Sequence, residues 1–256
     1  MRATTAAGAL ALWTAAGLAG LRGQAPASLT GQQVMERVDA VLNGGTQRGV
    51  LTLTVVRPSW ERTMRLQLTG QGDRATLIRI SDPPKDAGTT SLRIGGQMWN
   101  YFPRVEKVIR VAPSMLAQSW MGSDVTNDDM LKVTRVVRDY THTLVGQETV
   151  DGEPILRVTS VLKPDAPLVW TQLHFTVRAR DFVPVREEFL NEENEVVKVM
   201  TFHDVRQLKD RPYPMRWEVR MPKKESSYTV VRVEEMAFNL PVDERLFTLQ
   251  SLKATR

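Results

Sequence analysis

From Gly49 onward the chain alternates apolar and polar residues with a period of two. In "LTLTVVR", Leu51, Leu53 and Val55 oppose Thr52 and Thr54; in "TMRLQLTG", Met64, Leu66 and Leu68 oppose Arg65, Gln67 and Thr69. This is the pattern of strands with one buried and one solvated face. It recurs in "TLIRIS", "SLRIGG", "KVIRVA", "ILRVTSVLK", "VWTQLHFTVRAR", "PVREEFL", "EVVKVMTF", "MRWEVRMP" and "YTVVRVEEM". Turns such as Gly70–Asp73, Asn191–Asn194 and Arg211–Pro214 separate most of these runs. Roughly ten successive strands with few helical patterns between them predict an antiparallel meander and not βαβ units. "YPMRWEVRMP" shows the two faces, with Met215, Trp217, Val219 and Met221 on one and Arg216, Glu218 and Arg220 on the other.

The period is 3.6 in few places. Thr30 and Gln33 form a candidate capping box ahead of Val34, Met35, Val38, Val41 and Leu42, and Asn43-Gly44 is the stop. A short helix is expected around Ser114–Met121 and another from Thr126 to about Arg138. A sheet this long must curl, and these helices are what is available to cover its apolar concave side. So meagre a cover either buries that face imperfectly or keeps a cavity for an apolar ligand. The fold class is therefore mainly β (α+β), in one domain over residues 28–256.

Export enters with the first residues. Arg2, then "AAGALALWTAAGLAGL" over residues 6–21 and Ala25-Pro26-Ala27, read as a secretory signal peptide, residues 1–27. The apolar run is shorter than the roughly 20 residues that span a bilayer; a retained anchor is the alternative. The chain has no cysteine, so neither a disulfide nor a lipid on an N-terminal cysteine is available. Loss of residues 1–27 removes Arg2 and Arg22 and no acid, lowering the net charge from +5 to +3. Charges of both signs alternate along the remainder, which argues against nucleic acid as a partner.

The stretch "SMLAQSWMGSDVTNDDM", residues 114–130, gathers the candidate chemistry. Ser123 lacks the Gly-x-Ser-x-Gly elbow of a hydrolase. Asp124, Asp128 and Asp129 lack the spacing of a calcium loop. His142, His174 and His203 fall on three separate strands, away from metal-ligand spacing. The expectation is no catalytic residue, no metal and no cofactor. Thr126 and Asp129 instead fit a capping box, and Asp128 and Asp129 suit the positive end of a helix dipole. Met115, Leu116, Trp120 and Met121 fit either core packing or an adaptable ligand surface.

Five segments taken in order, "RISDPPKDAGTTSLRIGGQMWNYFP", "VEKVIRVAPSMLAQSWMGSDVTNDDM", "DYTHTLVGQETVDG", "LKPDAP" and "FTLQSL", resemble the outer-membrane lipoprotein-sorting family, the LolA-like proteins of the bacterial periplasm. The block Gln118, Ser119, Gly122, Ser123 and Asp124, followed by Asp128 and Asp129, is the most specific part. The resemblance implies an unclosed β-barrel with helices lidding an apolar cavity. It also implies a non-enzymatic periplasmic carrier of lipoprotein acyl chains or other lipids, working with an inner-membrane transporter and an outer-membrane acceptor through transient membrane contact. On that reading Leu66, Leu68, Trp99, Tyr101, Trp217 and Val219 line the cavity, and Met115, Leu116, Trp120 and Met121 form its lid. Two alternatives stay open: a binding or sensor module that docks a partner protein without transferring cargo, and a lipid hydrolase using Ser123 or Asp124.

Overall fold

The computed structural model describes residues 29–132, 135–166 and 168–253, so the expected signal peptide lies outside the described residues. Helix α1 (Gly31–Leu42) begins at the expected capping box: Gln33 N–H donates to the Thr30 hydroxyl, and the Gln33 side chain accepts from Thr30 N–H. It ends where expected, with Asn43 as C-cap and Gly44 at φ +60°.

Thirteen strands follow: β1 (Gln47–Arg57), β2 (Trp60–Gln71), β3 (Ala75–Asp82), β4 (Thr90–Ile94), β5 (Gln97–Phe102), β6 (Lys107–Arg110), β7 (Tyr140–Val150), β8 (Glu153–Leu162), β9 (Gln172–Arg178), β10 (Pro184–Leu190), β11 (Val196–Gln207), β12 (Pro212–Arg220) and β13 (Tyr228–Phe238). They form one unclosed antiparallel sheet, ordered β6-β5-β4-β3-β2-β1-β13-β12-β11-β10-β9-β8-β7. The last strand pairs with the first at the centre. The two edges, β6 and β7, are neighbours in sequence, so the chain between them, residues 111–139, crosses from one edge of the sheet to the other.

One face of the sheet holds most of the core. The register places Met64, Leu53, Val231, Trp217 and Phe202 side by side on five neighbouring strands. Leu51, Leu66, Ile78, Ile80 and Met98 extend this cluster, and α1 packs Val34, Met35 and Val38 onto Leu156, Val158, Leu173 and Phe175 farther along. Alternation puts Trp99 and Tyr101 on the opposite face. There they pack with Leu77, Leu92, Phe247 and Leu252 beneath the C-terminal segment. This corrects their expected place in the cavity: Met98 and Asn100, one residue off in register, face the inner side instead.

The crossover also departs from expectation. Only Pro113–Met115 makes a helical turn near residue 114, and it is 3-10. Met121 at φ +50° and Gly122 at φ +76° take left-handed conformations that end any right-handed helix, and Ser119 bridges Thr126 across the resulting turn. Beyond it, the helix expected from Thr126 to Arg138 is described as α2 (Asn127–Lys132) and α3 (Val136–Asp139), with residues 133 and 134 outside the described set.

Candidate functional site

Residues 111–132 lie over the inner face, where the lid is expected. Leu116 and Trp120 are buried in the central cluster, and Met115 and Met121 pack against it together with Leu68 and Trp217. Leu66 is buried there too, and Val219, buried, shares the face through its neighbours Thr229 and Met200. Eight of the ten expected lining residues thus meet on one side of the sheet, and Trp99 and Tyr101 do not.

What fastens the lid is polar. Asp124, buried, receives two hydrogen bonds from Arg57 of β1, at 2.9 and 3.1 Å. The Thr229 hydroxyl of β13 donates to the same carboxylate at 2.7 Å and accepts from Asp124 N–H at 2.9 Å. Arg57 also donates to the Gly122 carbonyl at 3.1 Å, and Arg62 of β2 to that of Met121. The Trp120 indole donates to Ser91 of β4 at 3.0 Å, and Ser91 to Asn100 of β5 at 2.6 Å.

The second half of the lid is held by charge. The expected capping box is present: Asp129 N–H donates to the Thr126 hydroxyl, and Asp129 accepts from Thr126 N–H at 2.7 Å. That carboxylate also receives Lys198 of β11 at 2.5 and 2.6 Å and the Trp170 indole at 3.1 Å. Lys198 is fully buried, with Phe189 and Trp170 rings 4.0 and 4.2 Å from its ammonium. An ammonium removed from water needs such company. Asp128 accepts from Val169 N–H at 3.0 Å. Burial first, then Asp128 and Glu187, hold the nearby Tyr140 phenol well above its ordinary range. Farther along the crossover, Arg138 pairs with Asp73 at the β2–β3 turn, 2.7 Å away.

These contacts bear on the chemistry weighed above. The Ser123 hydroxyl, buried, donates to the Trp120 carbonyl at 2.7 Å, and Ser119 donates to the Ser123 carbonyl; both serve the turn. The three aspartates go to three different sets of protein donors. His142 bonds Ser160, His174 lies by Gln172 and Glu188, and His203 by Thr201. Gln118 is exposed and contributes backbone, its carbonyl accepting from Asn127 N–H at 3.0 Å.

Sequence reasoning missed Arg57, Arg62, Ser91, Lys198 and Thr229. Most partners lie 67 or more residues from the lid group they hold, beyond any local motif. Lys198 alone carried a faint signal, as the lone cation in "VVKVM".

A cavity of about 70 Å³ lies between α1 and the sheet, lined by Met35, Leu42, Phe175, Met200 and Phe202 and by the carboxylates of Asp129 and Glu187. Asp39 lines it too, its carboxyl raised by burial. A cleft of about 290 Å³ opens at the seam of the sheet, lined by Met98, Val111, Pro113, Leu116, Leu168 and Val169 among others. Pockets for drug-sized ligands run to about 300–1,000 Å³, so the pocket beside α1 falls well below that range and the seam cleft approaches its lower bound.

No curated protein matches this chain. Three solved structures share its architecture. A domain described as outer membrane lipoprotein-sorting from Vibrio parahaemolyticus aligns with TM-score 0.78 at 17% identity, over 88% of this chain and 98% of its own. A DUF1329 family protein from Desulfovibrio piger gives 0.79 at 20%, over 87% and 97%. A LolA superfamily protein from Nitrosomonas europaea gives 0.76 at 19%, over 88% and 100%. At these identities the likeness is one of fold. A family model described as "Uncharacterized protein" matches residues 72–254, most of the sheet and the whole lid. The chain therefore belongs to that family, and its fold is that of the LolA-like, lipoprotein-sorting structures.

Proposed function

We propose that the protein is a non-catalytic periplasmic carrier that takes an acyl chain, from a lipoprotein or another lipid, between its lid and the inner face of its sheet. The observation that carries this reading is an apolar interface held shut by polar fastenings, with Met115, Leu116, Trp120 and Met121 lying on the apolar inner face. The sheet offers a row of apolar side chains across five strands, whereas the lid is tied down by discrete polar contacts at Asp124, Asp129 and Trp120. Such fastenings break one at a time, and the surface they release is apolar. Each methylene an acyl chain buries there is worth roughly 0.8 kcal/mol, enough over a long chain to offset opening. The seam cleft beside Leu116 supplies an entrance. The fold shared with a lipoprotein-sorting domain and a LolA superfamily protein supports the same reading. So does the apolar segment over residues 6–21, read as an export signal that places the protein where an inner-membrane transporter would load it and an outer-membrane acceptor relieve it.

A second reading draws on the small volume of the pocket beside α1, about 70 Å³: a module whose inner face is simply a packed core and which docks a partner protein without cargo. Native mass spectrometry with lipid extraction, on protein prepared without detergent, separates the two. A stoichiometric acyl-bearing molecule supports the carrier; a clean apo mass with no uptake of added lipid supports the docking module.

A further inference from the structure

We propose that a cleft on the outer face of the sheet, opposite the lid, binds a small amphipathic anion: one carboxylate or phosphate carried on an apolar body. The register makes Gln67 of β2, Arg79 of β3, Thr90 of β4 and Tyr101 of β5 direct neighbours on that face. The C-terminal segment passes over them. Its Phe247 and Leu252 pack on Leu77 and Leu92, and its Ser251 carbonyl accepts from Arg79 Nη2 at 3.1 Å. Beside this crossing the cleft opens to about 340 Å³, a volume that suits a small ligand. Arg79, Lys253, Gln67 and Ser81 supply its polar lining, and Tyr101, Pro103 and Leu252 stand among its apolar walls. Two of the four polar groups are cations, and among the described residues no carboxylate lines the cleft.

Arg79 points to an anion. A guanidinium drawn partly out of water gains from a carboxylate beside it, and Arg57, Arg178 and Arg216 each have one in Asp124, Asp181 and Glu218. Arg79 makes no ion pair among the described residues. Its Nε donates to the Thr90 hydroxyl at 3.3 Å and its Nη2 to the Ser251 carbonyl, both neutral acceptors. The Thr90 hydroxyl spends its own proton on the Gly88 carbonyl at 2.9 Å, which leaves it an acceptor for Arg79. Burial lowers the Arg79 pKa, with no carboxylate to offset it. The neighbouring acids are engaged elsewhere or stand apart. Asp243, in a second cleft that Arg79 also borders, pairs with Arg245 at 2.9 Å, and Glu244 pairs with Arg74 at 3.3 Å. Asp82 and Asp86, on and just beyond the end of β3, do not line the cleft. An oxyanion entering there meets a planar fork able to take it in two parallel bonds, a second cation at Lys253, and amide and hydroxyl donors. Its apolar remainder meets Tyr101, Pro103 and Leu252. The sheet separates this cleft from the lid, so the proposal stands independently of the carrier reading.

The test follows backbone amide resonances of the full chain during titration with benzoate and with phenyl phosphate, and with benzyl alcohol as the neutral control. The expected result is saturable shifts concentrated in residues 79–90 and 251–253 with at least one of the anions, and none with benzyl alcohol. Tighter binding of phenyl phosphate identifies a phosphate site and tighter binding of benzoate a carboxylate site; either supports the proposal. Arg79→Gln should raise Kd at least about tenfold, and Lys253→Gln about two- to fivefold. Arg232→Gln removes an exposed arginine from the same face of β13, two strands beyond β2, and should leave Kd unchanged. Thermal melts confirm folding, and the exposed Lys253 keeps the test decisive if Arg79→Gln loosens the C-terminal segment. Absence of saturable shifts with both anions overturns the proposal. So does an equal response to benzyl alcohol, or a loss in Arg232→Gln as large as that in Lys253→Gln.

Discussion

Asp124 of the lid and Arg57 of β1 form an ion pair at 2.9 Å with the carboxylate buried, and the Thr229 hydroxyl of β13 completes its coordination at 2.7 Å. One residue of the crossover is thus tied to the two strands at the centre of the sheet. Asp124→Ala leaves Arg57 its bonds to the Val56 and Gly122 carbonyls but removes its counter-charge, at a cost of about 2–3 kcal/mol. Denaturant midpoints measure that cost. Amide exchange should accelerate selectively over residues 119–126 while β1 and β13 stay protected, and uniform acceleration would show instead that Asp124 supports the whole sheet.

Lys198 and Asp129 lend themselves to a double-mutant cycle. Lys198→Met alone strands the Asp129 carboxylate away from water, and Asp129→Asn alone strands the ammonium; each costs about 3–5 kcal/mol. The double variant should lie well above the sum of the two, because an uncharged pair no longer demands compensation. Losses that simply add would mean that the two charges do not compensate one another in the folded protein.

These contacts mark the limit of what the sequence disclosed. Both capping boxes, the meander and the face shared by Met215, Trp217 and Val219 were legible because each depends on neighbours within a few residues. The lid's position was not. It follows from β13 pairing with β1, which makes edges of β6 and β7 and sends the chain between them across the inner face. Period-two reasoning also treats one face as apolar and the other as charged, and so assigns Lys198 outward; the register places it inside, directly opposite Phe189. The error at Trp99 and Tyr101 has the same root: both faces of β5 are apolar because the C-terminal segment covers the second, and alternation cannot rank two greasy faces.

Gly31 sits where α1 crosses β7. A Cβ there would lie 2.7 Å from the backbone of His142 and Leu144, and neither strand nor helix can yield by that much without moving as a unit. Gly31→Ala should destabilise the protein by about 1–3 kcal/mol, despite alanine's better helix propensity. A thermal melt checks this, and a rise in midpoint would show that α1 is free to lift.

Burial lowers the pKa of His142 below its ordinary 6.5, against weaker support from the Val137 and Val136 backbone. The neutral ring is favoured in the folded protein, so below pH 6.5 the unfolded chain binds a proton that the folded one resists. Stability from this group is full above pH 6.5 and is lost as pH falls from there through the folded value. Chemical denaturation at stepped pH should show that decline in the native protein and a flatter one in His142→Gln; parallel curves would mean other groups dominate.

The most direct test of a lid that opens to admit an acyl chain uses the absence of cysteine. Asp124→Cys with Thr229→Cys introduces the only two thiols, at positions whose side chains touch, and their oxidation replaces the polar fastening by a covalent one. Uptake of a fluorescent fatty acid is then measured in the oxidised and reduced protein. A carrier gated by this lid takes up the probe when reduced and excludes it when oxidised. Equal uptake in both states, or none in either, would contradict it.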